Sequence, residues 1–466
     1  MLSLLIHTLG CKLNQLESEA ITSAFLRSGF VLTDGSAAPS LIVINTCTVT
    51  SKADQKARRV IRKALRDYPD SCVIVTGCYA QLNQADLYKL DTGRGGRLFV
   101  LTGKVSVLEL PHYLNEKKDI AGALKLLCEN EKAPGSEQKN GEALSGEGLI
   151  GAFQFSPERF SGRTRSFLKI QDGCDKRCTY CRIRLARGPC VSLAADEVLD
   201  RLRILEKNRS EAVLTGVNIS QYYDKTRDVN LAALLEILLS GTEKIALRLS
   251  SLAPDSIDEN IAAVLSIKRI RPHFHLSIQS GSKKILEKMG RDYDSQTVEK
   301  AAALLRRAKD DPFLACDIIT GFPGETEADF EETLELCKKI DFAWIHVFPY
   351  SKRPGTPACS FSGAVSENEI TGRVKILTNL AWQGRAAYIR RWLDREVDVL
   401  IEKGGGSNFC RGVSENYLKL LVYYKGEKAP PPGSVLRCKI LEEETHTEVR
   451  SFTEGNEVYD TAAEEV

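Results

Sequence analysis

The sequence predicts an α/β protein in three parts: an N-terminal doubly wound α/β domain, a central (β/α) partial barrel, and a small C-terminal β-barrel. Three patterns carry this reading. Apolar runs alternate with helical stretches twice over, a polar interruption separates the two sets, and short strands punctuated by Gly and Pro take over after residue 393. At 466 residues the chain is too long for one ordinary core. Hydrophobic residues at 43% and charged residues at 27% describe a globular protein, and a net charge of +2 leaves any nucleic-acid partner to be argued from local charge.

In residues 1–128, the runs 2–7, 41–45, 73–76 and 98–101 read as buried strands, and 17–28 and 52–67 as helices. The apolar opening lacks a basic leader and a long apolar region, so it reads as a first strand and not as a signal peptide. Nothing approaches a membrane-spanning run, and fourteen cysteines without a targeting segment suit a reducing, cytoplasmic setting. Residues 129–162, rich in Gly, Ser, Glu and Lys, read as a linker. Six runs then read as barrel strands over 163–393, at 168–170, 212–214, 245–249, 273–278, 315–319 and 344–347, each followed by a helical pattern. After a helix over 366–391, the runs 397–400, 417–423, 434–440 and 448–452 make a small barrel of the oligonucleotide-binding kind over 394–455. The acidic end, 456–466, reads as a disordered tail.

Chemistry enters with Cys174-Asp175-Lys176-Arg177-Cys178-Thr179-Tyr180-Cys181, a CxxxCxxC that follows the first barrel strand through Asp172-Gly173. Three thiolates so close in sequence can hold three irons of a [4Fe–4S] cluster and leave the fourth open for a ligand. A zinc site would want a fourth Cys or His, and only Cys190, outside the motif spacing, lies near.

The first domain repeats a second design. Cys11, Cys47 and Cys78 each follow a buried strand by at most a few loop residues, and in a parallel sheet those positions share the carboxyl edge, where ligands bind. The placement predicts a second [4Fe–4S] cluster. Cys72 precedes its strand and belongs at the opposite edge; with Cys128, Cys316, Cys337, Cys359, Cys410 and Cys438 it reads as packing or surface.

These residues resemble the radical S-adenosylmethionine methylthiotransferases along nearly the whole chain. Thr8-Leu9-Gly10-Cys11-Lys12-Leu13-Asn14-Gln15, Asn45-Thr46-Cys47-Thr48-Val49-Thr50 and Thr76-Gly77-Cys78-Tyr79-Ala80-Gln81 most resemble the branch acting on N6-threonylcarbamoyladenosine in tRNA. The resemblance implies that S-adenosylmethionine binds the open iron held by Cys174, Cys178 and Cys181 and is cleaved there to a 5′-deoxyadenosyl radical. Sulfur methylated at the second cluster then passes to C2 of the adenine. It also implies cosubstrate contacts at the carboxyl ends of the barrel strands: Gly216, Asn218, Arg248, Ser250 and Gln279, with Gly321 giving close approach and Phe322 an adenine-facing surface. Thr326 and Glu327 also suit a helix cap, leaving that loop open between contact and cap. Phe348 and Tyr350 read as aromatic packing, and His273, His275 and His346 as structural histidines. Two departures stand beside the motif: Arg184 replaces a customary Pro, and Leu193 a customary Arg.

Lys52, Lys56, Arg58, Arg59, Arg62, Lys63 and Arg66 crowd the helix after Cys47, where they suit RNA phosphate as well as solvent. The last barrel resembles the TRAM-type RNA-binding domain appended to this family, carried by residues 411–418, with Tyr417, Tyr423 and Tyr424 as candidate base-stacking residues. The implied partners are tRNA, a flavodoxin- or ferredoxin-type reductant and a sulfur donor. Rival readings are methylthiolation of isopentenyladenosine in tRNA or of a ribosomal-protein aspartate, against which the wording around Cys11 and Cys47 argues, and a non-catalytic iron–sulfur RNA-binding protein, against which the open-iron spacing argues.

Overall fold

Five parallel strands in the order Val31–Leu32, Ser3–Thr8, Leu41–Thr46, Cys72–Gly77, Leu98–Val100 form the first sheet in a computed structural model of the chain. The strand Leu41–Thr46 is buried along its whole length, as its unbroken apolar run requires of a central parallel strand covered on both faces. Helix Lys12–Arg27 buries Leu13, Leu16, Ala20, Ile21 and Phe25, and helix Ser51–Asp67 buries Ala57, Ile61, Ala64 and Leu65, each an apolar stripe of helical period. Because the chain leaves the first strand in both directions, the sheet has a topological switch point beside Ser3–Thr8, the place where such sheets open a crevice at their carboxyl edge.

The structure describes residues 2–91, 96–102, 107–111, 114, 120–131, 153–154, 164–404, 409–424, 428–441, 452–454, 457–459 and 461–465. Two units form: Met1–Ser161 with Gln171–Val191 and Ser351–Cys359, and Gly162–Ile170 with Ser192–Tyr350 and Ser360–Val466. The CxxxCxxC segment therefore folds into the unit that carries the first sheet.

In the second unit, strands Ser166–Lys169, Glu211–Thr215 and Ala246–Leu249 form one parallel sheet, and His273–Gln279, Phe313–Thr320 and Trp344–Pro349 another. The bridge between Leu252 and Leu276 joins them into the six-stranded succession that the sequence predicts. Thr326 caps the helix Glu327–Ile340 in a reciprocal capping box with Asp329, so the loop after Phe313–Thr320 is closed by a cap.

The C-terminal barrel is closed, in the order Glu396–Gly404, Phe409–Ser414, Lys419–Tyr423, Thr461–Glu465, Val435–Leu441. Its filling includes Val397, Val399, Ile401, Cys410, Leu420, Val422, Cys438 and Ile440. The expected disordered tail is corrected here: Thr461–Glu465 pairs with Lys419–Tyr423 and Val435–Leu441 and removes both open edges. Acidic composition hid that strand, because a closing strand is held by backbone pairing as well as by apolar side chains. The strand Phe409–Ser414 was not expected either, because Gly412 interrupts its pattern; a Cβ there would stand 2.5 Å from Val399 Cγ1. Helix Ile120–Glu131 extends three residues into the expected linker. Most of that linker, the run at 448–451 and the side chain of Cys128 lie outside the described residues.

One ion-pair network anchors the second unit. Arg248 donates from Nε to Glu211 Oε1 at 2.8 Å and from Nη2 to Oε2 at 3.1 Å, and Arg271 donates to Oε2 at 3.0 Å. Arg248 Nη2 also reaches the Ser414 carbonyl of the small barrel at 3.3 Å, and Tyr417 lies 5.1 Å beneath its guanidinium and 3.9 Å from the His273 ring. Burial pushes the Glu211 carboxyl up, but Arg248 and Arg271 outweigh it and hold the pKa at about 2. With the folded pKa below the unfolded value, the stabilisation is whole above about pH 4.5 and is lost as pH falls toward 2. Glu211→Gln should cost about 3–5 kcal/mol, since it leaves the buried Arg248 without its carboxylate partner. Urea denaturation at pH 7 measures this, and an unchanged midpoint would remove the network from the stability of the unit.

Candidate functional site

The three strands Ser3–Thr8, Leu41–Thr46 and Cys72–Gly77 are consecutive in the first sheet, and Cys11, Cys47 and Cys78 sit just beyond their carboxyl ends. Glycine makes the approach possible. Gly10 has φ +106°, and a Cβ there would lie 2.5 Å from Cys47 Cβ; Gly77 has φ +91°, and a Cβ there would lie 2.4 Å from the Thr46 carbonyl. Asn14 then clamps the first two loops, donating from Nδ2 to the carbonyls of Leu9 and Thr46 at 2.9 Å each. Asn45 answers with Nδ2 to the Asn14 carbonyl at 2.9 Å, and Thr46 Oγ1 donates to the Thr76 carbonyl at 2.6 Å, tying in the third loop. Cys72 opens its strand at the opposite edge, as expected.

The sulfurs feel one another. Burial, with Cys78 and Cys11 acting in the same direction, pushes the Cys47 thiol up to about 11 against a Val49 N–H and Arg187. Among the described residues, no three His, Cys, Asp or Glu side chains gather tightly enough to hold one metal ion. A cubane presents a different iron to each thiolate and so takes ligands spaced more widely than a single ion does. Three convergent cysteines, linked by no disulfide, fit such a group in donor chemistry and in placement.

Arg187, which reads in the sequence only as a retained neighbour of the CxxxCxxC motif, takes a role in the fold. Its side chain is 2% exposed, and its Nε donates to Cys78 Sγ at 3.2 Å. Nη1 donates to Glu17 Oε1 at 2.9 Å and Asp172 Oδ1 at 3.1 Å, and Nη2 to Asn14 Oδ1 at 3.1 Å and Glu17 Oε2 at 3.3 Å. Burial opposes its charge, but Cys78, Glu17, Asp172 and Cys11 together raise its pKa above the usual arginine value. The available signal was an arginine closing a five-residue helix, Ile183–Arg187, just before Gly188.

The CxxxCxxC loop closes on itself. Cys174 N donates to the Gly188 carbonyl at 3.2 Å, and Cys181 N to the Cys178 carbonyl at 3.1 Å. Gly173, at φ +66°, admits no side chain, since a Cβ would stand 1.8 Å from the Pro189 carbonyl oxygen. Cys174, Cys178 and Cys181 are each half-buried, and three thiols without a fourth in the motif fit a cluster with a substitutable iron. Arg184, the residue in place of a proline, donates from Nη1 to the Asp175 carbonyl at 2.9 Å and so braces the loop. Leu193 is buried and carries backbone bonds to Ile170 and Tyr222, so this departure is absorbed into packing. Arg353 adds a second clamp that the sequence did not reveal: its Nη2 donates to the Thr48 carbonyl at 3.0 Å and to Asp54 at 2.6 Å, while nearby Ala358 N donates to the Thr179 carbonyl at 2.9 Å.

In the second unit, Gly216, Asn218, Ser250 and Gln279 stand at the carboxyl ends of three successive strands. Ser250 Oγ is buried with no hydrogen-bond partner, and Gln279 holds φ +74° at a bulge; an orphaned hydroxyl and a strained backbone both suit a ligand contact. Three expected contacts are corrected. Arg248 is spent on Glu211, because its side chain turns to the buried carboxylate at the other end of the neighbouring strand. Phe322 is fully buried edge-on to Tyr350 at 5.2 Å, inside an aromatic cluster. Gly321 answers to packing, since a Cβ there would lie 2.4 Å from Ile370 Cγ1. Phe348, expected to pack, is 39% exposed. His275 stands 3.0 Å from Asp317 and His273 stacks on Phe313 and Tyr417, as structural histidines do.

For RNA contact, Lys56, Arg59, Arg62 and Lys63 project from the exposed face of helix Ser51–Asp67 and have no ion-pair partner among the described residues. Arg58 instead bonds Tyr79 Oη at 2.8 Å, and Arg66 pairs with Asp67. Tyr417 is corrected as a base-stacking candidate: it is wedged between His273 and Arg248, with its ring committed to internal contacts.

A family model described as the radical SAM superfamily matches residues 168–337, and one described as uncharacterized protein family UPF0004 matches residues 3–94. The threonylcarbamoyladenosine tRNA methylthiotransferase MtaB of Treponema pallidum is 38% identical, covering 95% of this chain and 99% of its own. The protein of the same name from Bacillus subtilis is 34% identical over 95% of this chain and 94% of its own. Among solved structures, a radical S-adenosylmethionine methyltransferase, TsrM, from Kitasatospora setae aligns with a TM-score of 0.51 at 16% identity, over 77% of this chain and 76% of that one, a likeness of fold.

Two substitutions separate the two cysteine sets. Cys78→Ala and Gly173→Ala should each lower the iron of an anaerobically reconstituted chain from about eight to about four atoms, one cubane being lost. Iron and sulfide analysis checks this; a Gly173→Ala chain that keeps its full iron would show that the turn does not shape the Cys174 loop.

Proposed function

Because the chain belongs to the family of threonylcarbamoyladenosine tRNA methylthiotransferases, we propose that it converts N6-threonylcarbamoyladenosine in tRNA to its 2-methylthio derivative. It is a sulfur-group transferase of the radical S-adenosylmethionine kind, with two [4Fe–4S] clusters. When bound, the clusters and S-adenosylmethionine supply the hydrogen-abstracting radical and the transferable sulfur. The observation that carries the reading is the convergence of Cys11, Cys47 and Cys78 in the same unit as the Cys174, Cys178 and Cys181 loop, with Arg187 bonded to Cys78 and the next residue, Gly188, bonded to Cys174.

The protein's own work is to hold and to exclude. Cys174, Cys178 and Cys181 would hold one cluster by three ligands, and that cluster would supply the electron that cleaves S-adenosylmethionine. Gly216, Asn218, Ser250 and Gln279 are the candidate cosubstrate contacts at the strand ends of the second unit. Cys11, Cys47 and Cys78 would hold the second cluster, and Asn14, Asn45 and Thr46 fix their loops. Lys56, Arg59, Arg62 and Lys63 take RNA phosphates, and the C-terminal barrel adds a second nucleic-acid surface. A flavodoxin- or ferredoxin-type donor brings the electron, and a separate donor replaces the sulfur. A cytoplasmic setting follows from a tRNA substrate; no described helix is long and apolar enough to cross a membrane.

Nucleoside mass spectrometry of tRNA from cells with and without the protein tests the reaction. Loss of 2-methylthio-N6-threonylcarbamoyladenosine is expected, and an unchanged level would refute it. For the basic helix, the pair Lys56→Glu and Arg59→Glu should weaken tRNA binding and flatten its log–log salt dependence by about one unit for each phosphate left unneutralised. A salt slope equal to that of the unaltered chain would assign the helix to solvent.

A further inference from the structure

We infer that Arg187 is a positioning residue for the Cys78 sulfur, and that its Nε–H sets the reduction potential of the cluster held by Cys11, Cys47 and Cys78. The inference rests on the reading that those three cysteines carry a cluster.

The geometry divides the guanidinium by task. Its two terminal nitrogens are taken by Glu17, Asp172 and Asn14, which leaves Nε, the one donor in the middle of the fork, for Cys78 Sγ at 3.2 Å. With the side chain 2% exposed, water cannot substitute for any of these partners. A neutral thiol is a weak acceptor, whereas a thiolate receiving an N–H from a cation makes a charge-assisted bond. A metal-bound cysteine is such a thiolate.

Reduction places one more negative charge on a cluster, and a hydrogen bond to a ligating sulfur strengthens as that charge grows. The donor therefore favours the reduced form and raises the potential. Bulk charge alone would act otherwise: one guanidinium faces two carboxylates, Glu17 and Asp172, so the aimed N–H is the favourable element. The same residue reaches the other cysteine set through Asp172, which accepts from Gly173 N at 2.8 Å, and through Gly188, whose carbonyl accepts from Cys174 N at 3.2 Å.

The test uses the full-length chain with Cys174, Cys178 and Cys181 changed to Ala, so that only the second cluster can load, and follows its reduction by electron paramagnetic resonance in a potentiometric titration. In this background Glu17→Gln should move the midpoint to higher potential, because one carboxylate leaves. Adding Arg187→Gln to Glu17→Gln should move it below both, with Asp172 keeping its bond from Gly173 N. Coincident midpoints for Glu17→Gln and the double variant would overturn the role of Arg187. Should the double variant fail to take up iron, Arg187→Lys decides: a point charge cannot serve both the sulfur and the carboxylates, so a lowered midpoint supports the inference and an unchanged one overturns it. A background chain that takes up no iron overturns the cluster reading itself, and the inference with it; coincident midpoints in a loaded chain overturn the inference alone.

Discussion

The guanidinium of Arg187, buried between Glu17, Asp172, Asn14 and the sulfur of Cys78, is the contact on which the arrangement of the cysteines depends. It belongs to the short helix after Cys181, yet every partner but Asp172 comes from the first sheet's loops and their following helices. Breaking a buried pair of this kind leaves an uncompensated charge, at a cost of about 3–5 kcal/mol. Its partners therefore hold the CxxxCxxC segment in the unit that carries Cys11, Cys47 and Cys78. Arg353, with Thr48 and Asp54, repeats the device from a third segment of the chain.

Backbone geometry supplies the complementary constraint. Three adjacent parallel strands end together, and at two of the three ends a glycine with positive φ turns the chain where a side chain would strike the neighbouring loop. Gly173 does the same for the second cysteine set. Hydrogen bonds from Asn14, Asn45 and Thr46 then replace the ladder bonds that the strands no longer supply at their ends.

The second unit uses charge differently. Glu211 gathers Arg248 and Arg271 in its interior, and Arg248 carries the network to Ser414 and Tyr417 of the small barrel. Two residues that suit ligand contact by type, an arginine at a strand end and a tyrosine on an RNA-binding barrel, are thereby consumed as scaffold. What remains at the strand ends is Gly216, Asn218, the hydroxyl of Ser250 and the strained Gln279, a set of uncharged groups.

By itself the sequence determined the strand alternation, the six cysteines and the edge of the sheet on which three of them fall. Those follow from local rules: period, spacing, and the fact that a residue just after a parallel strand shares its edge with its counterparts. It also determined the basic helix face, because its stripe of apolar residues can face only one way. Tertiary structure alone decided which polar side chains serve chemistry and which serve the scaffold. Arg187, Arg248 and Tyr417 have nothing in their neighbours to tell them apart, since their partners Glu17, Glu211 and His273 lie far away in the chain and only folding brings them within hydrogen-bonding or stacking distance. The closing strand Thr461–Glu465 was hidden for the same reason: its stability comes from the two open edges it covers, and those edges exist only once the barrel has formed.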